Sequence, residues 1–294
     1  MVFDEDGCAL SILASVFLTI LYVASLYVWR SKLSRDHPTT IKRRFFSVSC
    51  VMVVAPIVTR LFLKDSTLNK GDMYEQLGLR LSGLLFAFVT PLALTMILFM
   101  GPLTMHFLSG GWKIYIHPIY WFASWQDLTW VRNHIMAPIS EEWVFRACMM
   151  PLLLQCLEPY TAVFVGPLLF GIAHFHHMFE QIKLGLDLRS SIMISAFQFM
   201  YTSLFGAYSA YLFLRTGHFV APLAAHMFCN HMGFPNFGDI PYYPLTKRLL
   251  IISNMVLGFI IWCNLLTPLT EPAYYDNKLY WPSRFQTLND ISLF

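Results

Sequence analysis

Two adjacent carboxylates and an arginine stand at the head of an apolar run: Pro138-Ile-Ser-Glu-Glu-Trp-Val-Phe-Arg146, then Ala147-Cys-Met-Met-Pro-Leu-Leu-Leu-Gln-Cys-Leu157. An ionisable side chain at the centre of a bilayer costs about 2.5–3.5 kcal/mol on insertion scales, so three together need a reason. Spacing divides them. Glu142 and Arg146 are i,i+4 in the acid-before-base order that stabilises a helix. Glu141 lies about 100° round the helix and has no such partner, which leaves it free to face a cavity and act as a general base toward water. Ser140 reads as an N-cap and Pro138 as a helix start, which puts both carboxylates in the first turn. The competing reading is an interfacial capping cluster that merely ends a helix.

Two further segments carry groups of the same kind. Phe170-Gly-Ile-Ala-His174 runs into His176 and His177. His226-Met-Phe-Cys-Asn230 puts His226 and Asn230 on one helical face, and both side chains can donate hydrogen bonds as an oxyanion hole requires. Taken singly, each has a plain alternative: a packed or interfacial histidine, or His and Asn bonding between helices. His174/His177 and His176/Glu180 have spacings a metal could use, but HExxH and HxxEH are absent. A zinc enzyme with Glu141, His174 and His226 as ligands stays open as the chemical alternative.

These residues need elements to hold them. The 294 residues are 56% hydrophobic and only 13% charged, against about 25% in soluble domains, and mean hydropathy is +0.54. The chain is therefore read as an all-α, polytopic integral membrane protein of one domain over 1–294. A net charge of +3 gives no case for nucleic acid. The six cysteines form no CxxC pair and read as small buried hydrophobes, with neither a disulfide framework nor a zinc knuckle indicated.

Apolar runs place spans at about 8–29, 45–63, 81–100, 136–157, 161–177, 191–214, 218–232 and 249–266, with a polar, aromatic tail from 267. Residues 101–135, dense in tryptophan, suit a re-entrant or surface segment. Lys and Arg fix the orientation. With the N-terminus lumenal, cytoplasmic segments hold twelve of them, six in 30–44, and lumenal segments hold six. Span four then begins where spans five and seven end, so Glu141, His174 and His226 converge near the cytoplasmic face.

Rival intramembrane chemistries find less support. There is no GxSG serine motif and no GxGD aspartyl motif, and Cys148 and Cys229 lack thiolate-stabilising surroundings beyond Arg146. Glu-Glu-x-x-x-Arg at 141–146, Phe-x-x-x-His at 170–174 and His-x-x-x-Asn at 226–230, in this order on separate apolar segments, resemble the CAAX prenyl protease 2 family, the Ras-converting endopeptidases among the glutamate intramembrane proteases. Leu169-Phe-Gly-Ile-Ala-His-Phe-His-His177 and Arg215-Thr-Gly-His218 are similar to its eukaryotic branch. The likeness is strong over about 130–235 and weaker in the first 100 residues.

The resemblance implies eight transmembrane helices in the endoplasmic reticulum membrane enclosing a cytoplasm-facing cavity. It implies removal of the last three residues from farnesylated or geranylgeranylated proteins ending in Cys-a-a-X, without metal or other cofactor. By the same resemblance Glu141 and His174 activate water, His226 and Asn230 stabilise the oxyanion, and Glu142 and Arg146 support them. Prenylated proteins and the bilayer are the expected partners. Outside this class, a transporter or receptor binding an ion at the same Glu, His and Asn is the main rival, although no inverted repeat is seen; a non-catalytic scaffold of the same fold is another.

Overall fold

The computed structural model describes residues 5–29, 33–69 and 71–281. Arg30 and Lys32 of the basic cluster, Lys70, Arg284 and the tail beyond 281 lie outside the described residues. Among the described residues every regular element is helical. We number the principal helices α1 (Glu5–Ser25), α2 (Pro38–Phe62), α3 (Leu84–Leu98), α4 (Met100–Leu108), α5 (Pro118–Gln126), α6 (residues 128–153), α7 (Pro159–Ala173), α8 (His176–Lys183), α9 (Leu188–Thr216), α10 (Val220–Met232) and α11 (Leu245–Leu269).

At the centre lies α6. Val144, Ala147, Cys148, Met149, Met150 and Leu152 are fully buried, so this stretch is apolar on every side because protein surrounds it on every side. Around this stretch pack α1, α2, α7 and α9, while α10 packs on residues 132–142 of the same helix. On the outer helices the pattern is inverted: Val53, Ile57 and Leu61 of α2 are exposed at i,i+4 spacing, as are Val256 and Ile260 of α11. Those stripes face hydrocarbon. In α1, Ser11, Ser15 and Thr19 each donate to the carbonyl four residues earlier at 2.9–3.0 Å, which satisfies their hydroxyls inside the helix.

Four helical segments are long and apolar enough to cross a membrane: Gly7–Ser25, Pro38–Phe62, Pro159–Lys183 and Leu245–Leu269. A fifth is formed if α3 and α4, which meet at 71°, count as one broken span. The bend falls inside the third expected span, so that apolar run is not a straight helix to residue 100. Beyond it, residues 111–126 form a short 3-10 turn and α5, with Trp121 and Trp125 exposed.

Two expectations are corrected. Ser140 does not cap a helix, and Glu141 and Glu142 are not in a first turn. The helix already runs from residue 128, and Ser140 sits within it, its Oγ donating to Ala137 O at 3.1 Å. Two π-helical turns, Arg132–Met136 and Trp143–Cys148, bracket the acidic pair. The first leads into Pro138, whose ring and missing N–H are best tolerated where the ladder is already widened. Second, Cys8 and Cys156 are not isolated hydrophobes but form a disulfide, with Cα atoms 5.2 Å apart, joining the start of α1 to the end of the α6 run. Under denaturing conditions we expect four of the six cysteines to alkylate before reduction and all six after; six before reduction would remove the pairing.

Candidate active site

Glu141 and Glu142, adjacent in sequence and about 100° apart round α6, go to different places. Glu142 is fully buried and its carboxylate is engaged on both oxygens. Oε1 accepts from His226 Nδ1 at 2.6 Å; Oε2 accepts from Ser209 Oγ at 2.6 Å and faces Arg146 Nε at 3.3 Å. Arg146 is also buried. Its Nη2 donates to Gly206 O at 3.4 Å and its guanidinium lies 4.4 Å from the centre of the Phe170 ring. Glycine is required at 206, because a Cβ there would fall 2.8 Å from Pro167 Cβ and 3.2 Å from Arg146 Nη2.

Glu141 faces His226 Nε2 at 3.8 Å. A carboxylate only accepts, so the bond to Glu142 puts a proton on His226 Nδ1 and turns Nε2 toward Glu141. His174 is held the same way. Its Nδ1 meets Phe170 O at 2.8 Å, and a carbonyl again demands that Nδ1 carry the proton. In the neutral ring Nε2 then bears the lone pair, the form a proton acceptor needs.

Glu141, His174, His226 and Asn230 line one cavity of about 870 Å³. Glu142 and Arg146 lie behind it and do not. Asn230 Nδ2 donates one hydrogen to Asn133 O at 2.8 Å, which leaves its second hydrogen available. The cavity has two unlike ends. Leu98, Phe99, Leu204, Phe205, Phe259 and Trp262 give apolar walls, and the Phe205 ring packs 4.8 Å from that of His226. Arg35, Arg44 and Arg132 lie on its other rim, reached from His174 through His177. Among the described residues no group of three or more His, Cys, Asp or Glu side chains is arranged to hold a metal ion.

Sequence reasoning missed Ser209, Tyr22 and Asn133. Ser209 carried a signal: Thr202, Gly206 and Ser209 make a small, polar face on α9 at helical spacing, the kind that admits a close neighbour. Tyr22, whose hydroxyl shares a 3.0 Å hydrogen bond with Ser140 Oγ, carried none.

The fold and the cavity define a class: a helical membrane protein holding acid and imidazole groups in a space apolar at one end and cationic at the other. The comparisons narrow it. Residues 123–232 match the family described as type II CAAX prenyl endopeptidase Rce1-like. The chain is 43% identical over 278 residues to CAAX prenyl protease 2 of Homo sapiens, covering 92% of this chain and 84% of that protein. It is 38% identical over 277 residues to the Rattus norvegicus protein of that name, covering 92% and 83%, and 28% identical over 256 residues to that of Saccharomyces cerevisiae, covering 75% and 80%. No solved structure matches. The chain belongs to the CAAX prenyl protease 2 family.

Proposed function

We propose that this membrane protease removes the C-terminal aaX tripeptide from prenylated proteins ending in Cys-a-a-X, using Glu141 and His174 to activate water. The observation that carries the reading is that Glu141 and the Nε2 faces of two tautomer-fixed histidines share one cavity. A water held between Glu141 and His174 gives a proton to Glu141 as its oxygen adds to the scissile carbonyl; collapse of the tetrahedral intermediate breaks the C–N bond, and that proton passes to the departing amine of the tripeptide. The oxyanion forms between the imidazole of His226 and the second hydrogen of Asn230. Glu142 holds His226 by Nδ1, and Ser209 and Arg146 hold Glu142. The isoprenoid lies along Phe99, Phe259 and Trp262, within hydrocarbon reach, while the tripeptide lies on the polar side.

The same reading takes the chain as eight spans in the endoplasmic reticulum membrane, with α6, α9 and α10 added to the apolar helices and the cavity opening to the cytoplasm. Two observations support that orientation. Lys and Arg concentrate on the cavity's side. The Cys8–Cys156 disulfide lies at the other end, fifteen residues and about 20 Å along the helical run from Glu141, where a lumenal, oxidising compartment would form it.

Incubating the purified protein with a prenylated Cys-a-a-X peptide tests the reading. Free tripeptide released with and without a chelator is the expected result. Release lost to chelator and restored by zinc would move the chemistry to a metal, and no release at all would return the transporter or scaffold.

A further inference from the structure

Three arginines meet at the rim of the cavity with two carboxylates between them. Glu180 accepts from Arg35 Nη1 at 3.3 Å and from Arg44 Nη2 at 3.1 Å, and also from Tyr27 OH at 3.0 Å. Asp36 Oδ1 accepts from Arg132 Nη1 at 2.8 Å and lies 3.8 Å from Arg35 Nε. One positive charge is left over. Arg44 Nε is buried with no hydrogen-bond partner among the described residues, and a guanidinium has five N–H donors to place. The rim is built for an anion.

Its distance from the chemistry is informative. The rings of His174 and His177 are 6.1 Å apart, and Arg35 Nη1 lies 3.5 Å from His177 Nδ1. Arg35 is thus within roughly 11 Å of His174. An extended peptide advances about 3.3 Å per residue, so two residues span about 7 Å, three about 10 Å and four about 13 Å. Three fits. We propose that Arg35 and Arg44 bind the terminal carboxylate of the substrate and thereby set the cut three residues from its end. The inference rests on the proposed function, since it takes the scissile bond to lie at His174 and Glu141.

The test uses the purified full-length protein and one prenylated Cys-a-a-X sequence in three forms: free acid, C-terminal carboxamide, and free acid extended by one residue. A charge-assisted hydrogen bond lost at the terminus lowers kcat/KM by about tenfold to a hundredfold, so the amide and the extended peptide are the poorer substrates, mainly through KM. R35Q and R44Q each lose about tenfold more on the acid than on the amide, and Arg35→Lys recovers part of that difference. Arg35 sits in an exposed turn, so R35Q folds even if R44Q, which disturbs a buried contact, does not. Equal kcat/KM for acid and amide in the wild type would overturn the assignment alone. So would equal losses on both substrates in the variants, which would make the arginines structural. No cleavage of any form by the wild type would overturn the proposed function and the assignment with it.

Discussion

Glu141→Gln leaves a folded protein that releases no measurable tripeptide. The substitution keeps the shape of the side chain and removes its ability to take a proton. Positioned general bases contribute about a hundredfold to ten-thousandfold, and here no second carboxylate can stand in, because Glu142 is occupied on both oxygens. The fall in kcat is therefore about a thousandfold or more, with KM for the prenylated peptide little changed, because the isoprenoid and carboxylate contacts are made elsewhere. Stability is spared for a structural reason. The Glu141 carboxylate meets His226 Nε2 only at 3.8 Å, too far for a hydrogen bond. The thermal midpoint in detergent should stay within a degree or two of wild type. Turnover retained in this variant would remove Glu141 from the chemistry; a large drop in midpoint would make it structural.

How much of this was legible in the sequence follows from contact range. The pairing of Glu142 with Arg146 is local, one helical turn, and the i,i+4 spacing was enough to read it. So was the separation of Glu141 from that pair. Ser, Pro and two acids imitate a first turn at Ser140; the helix runs on through them by way of a π-turn, which has no compositional mark. His226 and Ser209 reach Glu142 across 84 and 67 residues, and nothing in the order of residues says that Nδ1 of that histidine will meet that carboxylate. Cys8 and Cys156 are 148 residues apart and each sits in an apolar run, so burial was the natural reading until two helix ends were seen to meet. Hydropathy finds α1, α2 and α11 because lipid surrounds them. It is weaker for α6, which protein sheathes over 144–153, and for α9, which is buried mainly over its last two turns, because both spend part of their surface on Ser, Thr, Glu and Arg that line or back the cavity. The residues that make a membrane protein reactive are those that blur its spans.

Glu142 is the opposite case to Glu141, and its loss should cost the fold as well as the reaction. Glu142→Ala strands three groups at once: His226 Nδ1, Ser209 Oγ and the Arg146 guanidinium. Removing one partner of a buried ion pair costs about 3–5 kcal/mol, chiefly because the remaining charge is left in a medium that cannot solvate it. Arg146 is 1% exposed and its Nη1 already lacks a hydrogen-bond partner among the described residues, so little can relax around it. A drop of that size in unfolding free energy, with poor expression, is the expected result. The double variant Glu142→Gln, Arg146→Met separates the two roles. It removes both charges and keeps most of the volume against Phe170 and Gly206, so most of the stability returns. Activity does not, because on the proposed mechanism the charged carboxylate at 142 holds His226 by Nδ1, and a neutral amide makes that bond more weakly. Measuring unfolding and turnover on the single and double variants therefore gives two readouts that move apart. A double variant no more stable than Glu142→Ala would show that the charge pair was not what the single substitution broke. One as active as wild type would show that His226 does its work without Glu142.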